Sequence, residues 1–310
     1  MDLAGKIALV TGGTRGVGRG IALALAESGA RVWVTGRTVA DLERVAAEGG
    51  GRVVPARCDH ADDAQVEALF SRVARESARL DLLVNNAYSG VADIAATAHR
   101  KFWETGPEVW DAMNRVGLRG AYVASLHAAR LMVARRSGLI VNVSSPASLD
   151  YLFNAAYGIG KAALDRMTRD LAFELRADGV AVVSLWPGFV RTELTAEVAR
   201  EASPAYRRIL EAYAETPRVA GRAAARLAAD PRVLRRSGTI VIAAELARRH
   251  RERDADGSLA LSPRSLRRLA RAAAPGLAWL VPPVNVPFWT IGPVLRAFSR
   301  RLKERGGFRV

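Results

Sequence analysis

Short apolar runs alternate along this chain with longer stretches whose apolar positions recur every three or four residues. The runs are KIALVTGG (6–13), RVWVTGR (31–37), RVVPARCD (52–59), LDLLVNNA (80–87), GLIVNVSS (138–145), VAVVSLWPG (180–188) and SGTIVIAA (237–244). They are rich in β-branched residues and nearly continuous in apolar character, the mark of strands buried on both faces. Between them GRGIALALAESGA (18–30), TVADLERVAAEGG (38–50) and DDAQVEALFSRVARES (62–77) carry a helical period. Thr38 is placed to cap the second of these. A long helix is predicted over 106–136, and another from the Tyr157 region to Asp178. This alternation predicts an α/β fold: a doubly wound, Rossmann-type parallel sheet of about seven strands with helices on both faces. The catalytic domain is expected over 1–244, with 191–236 as a substrate lid and 245–310 as a C-terminal extension. Ligands of such sheets bind beyond the carboxyl ends of the strands. TGG, NNA, SS and WPG all fall at those ends.

The candidate chemistry gathers at the same ends. In NAAYGIGKAAL (154–164), Tyr157 and Lys161 stand four residues apart. On a helix they share a face, phenol beside ammonium. A nearby positive charge favours the phenolate, so the pair reads as a tuned proton donor. TGGTRGVG (Thr11–Gly18) joins the first strand to the first helix. Glycines at 12, 16 and 18 permit a tight turn and a close approach of backbone to a pyrophosphate at a helix N-terminus. About twenty residues on, an acid would select NAD by binding the ribose hydroxyl. Gly36-Arg37 stands there instead, and an arginine pairs with a 2′-phosphate. With Arg15 as a second phosphate partner, NADP (as NADPH) is the expected cofactor and NAD the less favoured one.

Composition narrows the picture further. Half the residues are hydrophobic and a quarter charged, the profile of a soluble globular protein. Cys58 is the single cysteine, so no internal disulfide forms and a reducing compartment fits. The N-terminus lacks a basic region followed by a long apolar run, which predicts no secretory signal. A cytoplasmic location is expected, with membrane association through the tail as the variant. The four histidines, His60, His99, His127 and His250, show no metal-ligand spacing, and no metal site is expected. The net charge of +15 is concentrated in the tail. Residues 245–310 hold 14 Lys and Arg against 5 Asp and Glu, whereas the first 244 residues hold 32 against 26. No nucleic-acid-binding motif accompanies that charge, and no nucleic-acid partner is expected.

Taken together, TGGTRGVG, NNA at 85–87, the serine of IVNVSS, YGIGK and PGFVRT (187–192) resemble the short-chain dehydrogenase/reductase family, in its order and near its spacings, over residues 5–244. NNAYSG, FWET, VGLRG, SLWPGFVRTEL and ELARRH resemble one branch of it, and that likeness extends into the tail. The resemblance implies hydride transfer between a nicotinamide and a small-molecule carbonyl or alcohol, with lipophilic ketones as the substrate class. It implies that Tyr157 is the general acid or base, that Lys161 lowers its pKa and binds the nicotinamide ribose, and that Ser145 holds the substrate oxygen, with Ser144 as the alternative. The cofactor would lie along Thr11, Gly12, Thr14, Arg15, Gly16, Val17, Gly18 and Arg37. Asp59 would meet the adenine, and Asn85 and Ala87 the adenosine ribose. Pro187, Gly188, Val190 and Thr192 would hold the nicotinamide amide and nearby phosphates. A homo-oligomer is implied as well.

Two positions depart from the family pattern. Gly117 stands where an asparagine helps hold a proton-relay water, with Asn114 one turn earlier as a substitute. A glycine there costs about 1 kcal/mol of helix propensity, which predicts close packing or a distortion. Tyr88 replaces the glycine of NNAG and adds a ring near the cofactor or substrate mouth. Beyond the family region, residues 276–298 form a proline-broken apolar run with Trp279, Phe288 and Trp289 and basic flanks. Prolines 282, 283, 287 and 293 oppose a spanning helix. The run is expected to pack on protein, with peripheral membrane contact as the rival. The competing functional readings are a non-catalytic NADP-binding sensor or scaffold, and a membrane-surface protein acting through its tail.

Overall fold

The computed structural model describes residues 1–193, 195–196, 214–255, 257–260, 262–267, 275–282, 284–287 and 290–304. Seven strands form one parallel sheet: β1 (Ile7–Val10), β2 (Arg31–Gly36), β3 (Val53–Arg57), β4 (Leu82–Asn85), β5 (Gly138–Val143), β6 (Val180–Trp186) and, later in the chain, Ile240–Ile242. Their order is β3-β2-β1-β4-β5-β6 with Ile240–Ile242 at the far edge. The helices α1 (Gly16–Glu27), α2 (Val39–Glu48) and α3 (Asp63–Ser77) make the first crossovers, and α7 (Ala155–Leu175) joins β5 to β6. The period of two along each strand divides the apolar side chains between two cores. Ala8, Val10, Val32, Val34, Val84 and Val183 face one layer with Ile21 and Leu25 of α1. Ile7, Leu9, Trp33, Leu83, Ile140 and Val182 face the other with Val66, Leu69 and Phe70 of α3. Burial on both faces is why these runs read as continuous rather than alternating.

The order reverses between β1 and β4, where the crossover direction changes. That reversal opens a crevice beyond the strand ends, the usual ligand site of this architecture. The glycine turn closes β1 and the Asn85–Ala87 segment closes β4, so both border it.

Three features differ from expectation. The long helix over 106–136 is broken into α5 (Glu108–Asn114), a π-helical turn (Arg115–Gly120) and α6 (Ala121–Val133). The wide turn is centred on Gly117, whose cost in a helix foretold a distortion. A short helix, α4 (Val91–Thr97), follows β4 without a strong periodic signal. In the expected lid, residues 197–213 lie outside the described residues, while β7 (Phe189–Val190) pairs with β8 (Ala214–Glu215). Later in that segment comes α8 (Pro217–Ala229), which buries Val219, Ala220, Ala223, Ala224 and Leu227 in the α1 core and so covers the sheet.

The expected boundary at 244/245 falls inside α9 (Ala243–Arg249), whose Leu246 and Ala247 belong to the same core. Beyond it the described tail touches the domain at several points. The Asp254 carboxylate accepts from the Thr216 backbone N–H at 2.8 Å and from the Thr216 hydroxyl. Arg264 makes a two-pronged, half-buried pair with Glu245, both contacts 2.8 Å. Within the tail itself, the Leu266 and Val286 N–H groups donate to the Val284 and Arg264 carbonyls. The last described helix, α10 (Ile291–Glu304), seats Ile291 in a buried position, pairs Arg296 with Asp150, and donates from the Ser299 hydroxyl to the Tyr151 carbonyl at 3.1 Å. Trp279 and Leu280 remain exposed, at 72% and 60%. Phe288 and Trp289 lie outside the described residues. Among the described residues, no helix is long and apolar enough to cross a membrane.

Candidate active site

At the nucleotide end, hydrogen bonds fix the glycine turn from beneath. The Thr11 hydroxyl accepts from the backbone N–H of Asn86 and Ala87 at 2.9 and 3.0 Å. The Asn86 side-chain amide donates to the carbonyls of Thr11 and Gly12 at 3.0 and 2.9 Å. Asn86 was not singled out from sequence, although it lies between two residues that were. Gly12 and Gly16 hold φ of 62° and 54°, the left-handed region that favours glycine. A Cβ on Gly18 would lie 2.3 Å from both the Asn86 amide nitrogen and the Gly12 carbonyl. The turn is thus a backbone cradle that side chains would fill.

The cradle already accepts an anion. The Glu193 carboxylate takes the Gly16 N–H at 3.0 Å, at the positive end of α1. A phosphate offers the same chemistry, so the residues present fit a dinucleotide. Arg15 and Arg37 are exposed beside this turn and at the end of β2. Thr14 packs its methyl against Gly36, and Val17 lies in the first turn of α1. The Thr192 side chain approaches Gly16, bringing the Pro187–Thr192 segment to the turn. Gly188 donates its N–H to the buried Glu215 carboxylate at 2.8 Å, and Val190 lies in β7. Glu215 was not foreseen. Asp59 stands past the end of β3 and accepts from the Ala61 N–H at 3.0 Å.

Asn85 closes β4 at the border of the crevice. Its amide nitrogen donates to Ser125 Oγ and Asn142 Oδ1, both at 2.8 Å, in the buried layer beneath the sheet end. It ties β4 to β5 and α6 and so fixes the strand end from which the chain continues to Ala87.

At the other end of the crevice, α7 begins with Asn154, whose carboxamide oxygen caps the Tyr157 N–H at 2.8 Å. The Asn154 amide is itself held by Thr97 Oγ1 at 3.0 Å. This cap fixes the first turn of the helix that carries Tyr157 and Lys161. Ser145 Oγ lies 3.0 Å from the Tyr157 phenol oxygen. Ser144 is buried and donates to the Lys161 carbonyl at 3.3 Å instead. Geometry therefore separates the two serines: only Ser145 meets the phenol. Lys161 Nζ donates to the Val143 carbonyl at 3.0 Å and stands 5.8 Å from the Tyr157 ring centre.

Burial pushes the Tyr157 phenol above its ordinary range, while the Ser145 hydrogen bond pulls it back. Burial lowers the Lys161 ammonium to about 8, opposed by the charge of Asp165. The Lys161 ammonium is turned to the Val143 carbonyl. A raised phenol stays protonated at neutral pH, as a proton donor must.

Tyr88 and Gly117, the two departures from the family pattern, are in contact. A Cβ at 117 would lie 2.7 Å from Cδ2 of the Tyr88 ring. Asn114 is buried one turn earlier and donates to the carbonyls of Trp110 and Ala156 at 3.2 and 3.3 Å. Its Oδ1 is buried without a protein partner. It lines a cavity of about 10 Å³ together with Tyr88, Gly117, Tyr157 and Lys161.

A glycine turn that binds a carboxylate at a helix N-terminus, across the crevice from a serine–tyrosine contact with a lysine one turn on, invites comparison with known proteins. The model of the family described as short chain dehydrogenase matches residues 6–203. The chain belongs to this short-chain dehydrogenase/reductase family. It is accordingly a dehydrogenase/reductase acting on CH–OH or C=O groups with an NAD(P) cofactor. It is 46% identical over 301 residues to dehydrogenase/reductase SDR family member 1 of Homo sapiens, covering 93% of this chain and 96% of that one. It is 34% identical over 203 residues to a short-chain type dehydrogenase/reductase of Picea abies, covering 62% and 73%. A solved short-chain type dehydrogenase/reductase from Mycobacterium marinum superposes with a TM-score of 0.67 at 27% identity, over 78% of this chain and 94% of that one. Only the first of these three likenesses spans enough of the chain to include most of the tail.

Proposed function

We propose that this short-chain dehydrogenase/reductase is NADP-dependent and reduces, or forms by the reverse reaction, a carbonyl on a lipophilic small molecule. The 3.0 Å contact between Ser145 and Tyr157, with Lys161 one turn on, carries the reading. The bound nicotinamide supplies or receives the hydride. Ser145 orients the substrate oxygen. In reduction Tyr157 gives its proton to that oxygen, and in oxidation it takes the proton back. Lys161 holds the nicotinamide ribose and supplies positive charge beside the phenol when the cofactor is in place. Asn114, through its unpartnered Oδ1, takes the water-holding role of the asparagine missing at 117. The rings of Phe153 and Tyr88, centred 5.6 and 6.1 Å from that of Tyr157, favour an apolar substrate.

Thr11, Gly12, Thr14, Gly16, Val17, Gly18 and Ala87 form the phosphate and ribose side, with Asp59 toward the adenine. Pro187, Gly188, Val190 and Thr192 hold the amide end. The arginines at 15 and 37 favour the extra phosphate of NADP. Trp110, Tyr122, Ile159 and Phe173, exposed on α5, α6 and α7, support a homo-oligomer that covers them. The tail contacts favour packing on protein over a membrane, in a cytoplasmic enzyme. The test is a panel of ketones and aldehydes with NADPH, followed by cofactor consumption. Turnover of apolar ketones supports the reading. Tight NADPH binding without turnover of any carbonyl or alcohol would favour the sensor alternative.

A further inference from the structure

Tyr88 is held on three sides. Its hydroxyl donates to Met113 Sδ at 2.7 Å. Its ring meets that of Tyr157 edge to face, centroids 6.1 Å apart. Its third side lies on Gly117, where any Cβ would collide with the ring. Lys161 Nζ stands 5.1 Å from the centre of the Tyr88 ring, nearer than its 5.8 Å from the Tyr157 ring. Burial holds the Tyr88 hydroxyl far above its ordinary range, which favours the neutral phenol. What it offers Lys161 is a ring face, which attracts a cation within about 6 Å.

We propose that Tyr88 is a positioning residue: its ring, admitted by the missing side chain of Gly117, holds the Lys161 ammonium charged and in place beside Tyr157. The proposal deepens the reading of Tyr157 and Lys161 as the working pair and rests on it. Among the groups around Lys161, the Asp165 charge also favours the ammonium, and the Tyr88 ring is the nearer of the two aromatic faces. On α7, Tyr157 lies one turn before it and Asp165 one turn after. The Asp165 carboxylate already accepts from Ser184 Oγ at 2.6 Å and from the Trp186 indole N–H at 3.2 Å. From β5 comes the neutral Val143 carbonyl, and from the end of α5 the neutral Asn114. The loop after β4 contributes Tyr88.

The sign follows from these surroundings. Burial favours the neutral amine and lowers Lys161; an aromatic face favours the ammonium and raises it. Removing the ring therefore lowers Lys161 further, and carbonyl reduction that needs the ammonium fails at a lower pH.

The chain has four lysines, so an NMR titration with isotope-labelled lysine resolves Lys161 directly. Wild type is compared with Tyr88→Phe, Tyr88→Leu and Gly117→Ala. Tyr88→Phe keeps the ring and keeps the titration. Tyr88→Leu lowers the Lys161 midpoint by about half to one pH unit. Gly117→Ala displaces the ring without touching Tyr88 chemically and moves the midpoint the same way. The pH profile of ketone reduction shifts in parallel. An unchanged midpoint in both Tyr88→Leu and Gly117→Ala overturns the proposal, as does a Phe variant that shifts as far as Leu. A shifted midpoint in a protein that turns over no carbonyl upholds the Tyr88–Lys161 contact and refutes the functional reading instead.

Discussion

The two ends of the crevice are built from different material. The nucleotide end is backbone: a turn with positive φ at Gly12 and Gly16, braced by the Thr11 hydroxyl and the Asn86 amide. The catalytic end is side chain: Ser145 on Tyr157, Lys161 beneath the rings of Tyr88 and Tyr157, and the helix fixed by Asn154. The difference teaches where each end is vulnerable. A backbone cradle fails when an atom is added, because a Cβ occupies the ligand's space or strains the turn. A side-chain constellation fails when an atom is removed, because chemistry is lost while the space is kept. Binding and turnover should therefore separate under mutation.

Ser145→Ala removes one atom and should lower kcat by about 10²–10³-fold, the usual loss of one donor to a developing oxyanion. NADPH affinity should be unchanged, and Ser144→Ala, at a serine bonded to the Lys161 carbonyl, should cost far less. Steady-state kinetics with fluorescence titration of NADPH checks both. Equal losses from the two serines would break the comparison. Gly18→Val adds atoms where a Cβ would sit 2.3 Å from the Asn86 amide and the Gly12 carbonyl. Overpacking of this kind costs about 1–3 kcal/mol, so NADPH should bind roughly ten- to a hundredfold more weakly. The same titration reads it, and unchanged affinity would contradict a close-fitting cradle. Arg37→Asp should move the preference from NADPH toward NADH by on the order of tenfold, as expected for losing one charge-assisted contact. Dissociation constants for both cofactors decide this, and a wild type that already binds NADH as tightly would refute the assignment. Least is expected of Arg296→Ala. It releases the tail from Asp150 at an arginine side chain that is 55% exposed, and such pairs contribute about 0–1 kcal/mol. Thermal melts should shift by a few degrees at most. A collapse of folding would mean that the tail supports the loop before Tyr157 far more than its visible contacts suggest.

The sequence alone reached the sheet, the glycine turn and the tyrosine–lysine helix for physical reasons. Continuous β-branched runs, a Gly-rich strand-to-helix turn and an i,i+4 pair are all local patterns. The missed features are not local. Glu215 reaches Gly188 across the unforeseen pairing of β7 with β8, and the Tyr88 ring reaches Gly117 from another element. Neither contact leaves a period or a spacing in the chain. Gly117 alone gave a signal, as a helix breaker, and the π-helical turn is what it foretold. Asn154, standing just before the helix, carries a local signal of its own as a cap residue, and its bond to the Tyr157 N–H matches it. Position at a strand end marks nearness to a ligand but not the direction of a side chain, so the bonds of Asn85 to Ser125 and Asn142 left no signal in the sequence.

The central claim is that Tyr157 supplies the proton while the rest of the site binds. The direct measurement is Tyr157→Phe on a ketone that the wild type reduces, with NADPH titrated in the same preparation. The account predicts wild-type NADPH affinity and a fall in kcat of about 10²–10⁴-fold, the range for a lost general acid. Reduction at the wild-type rate would contradict it.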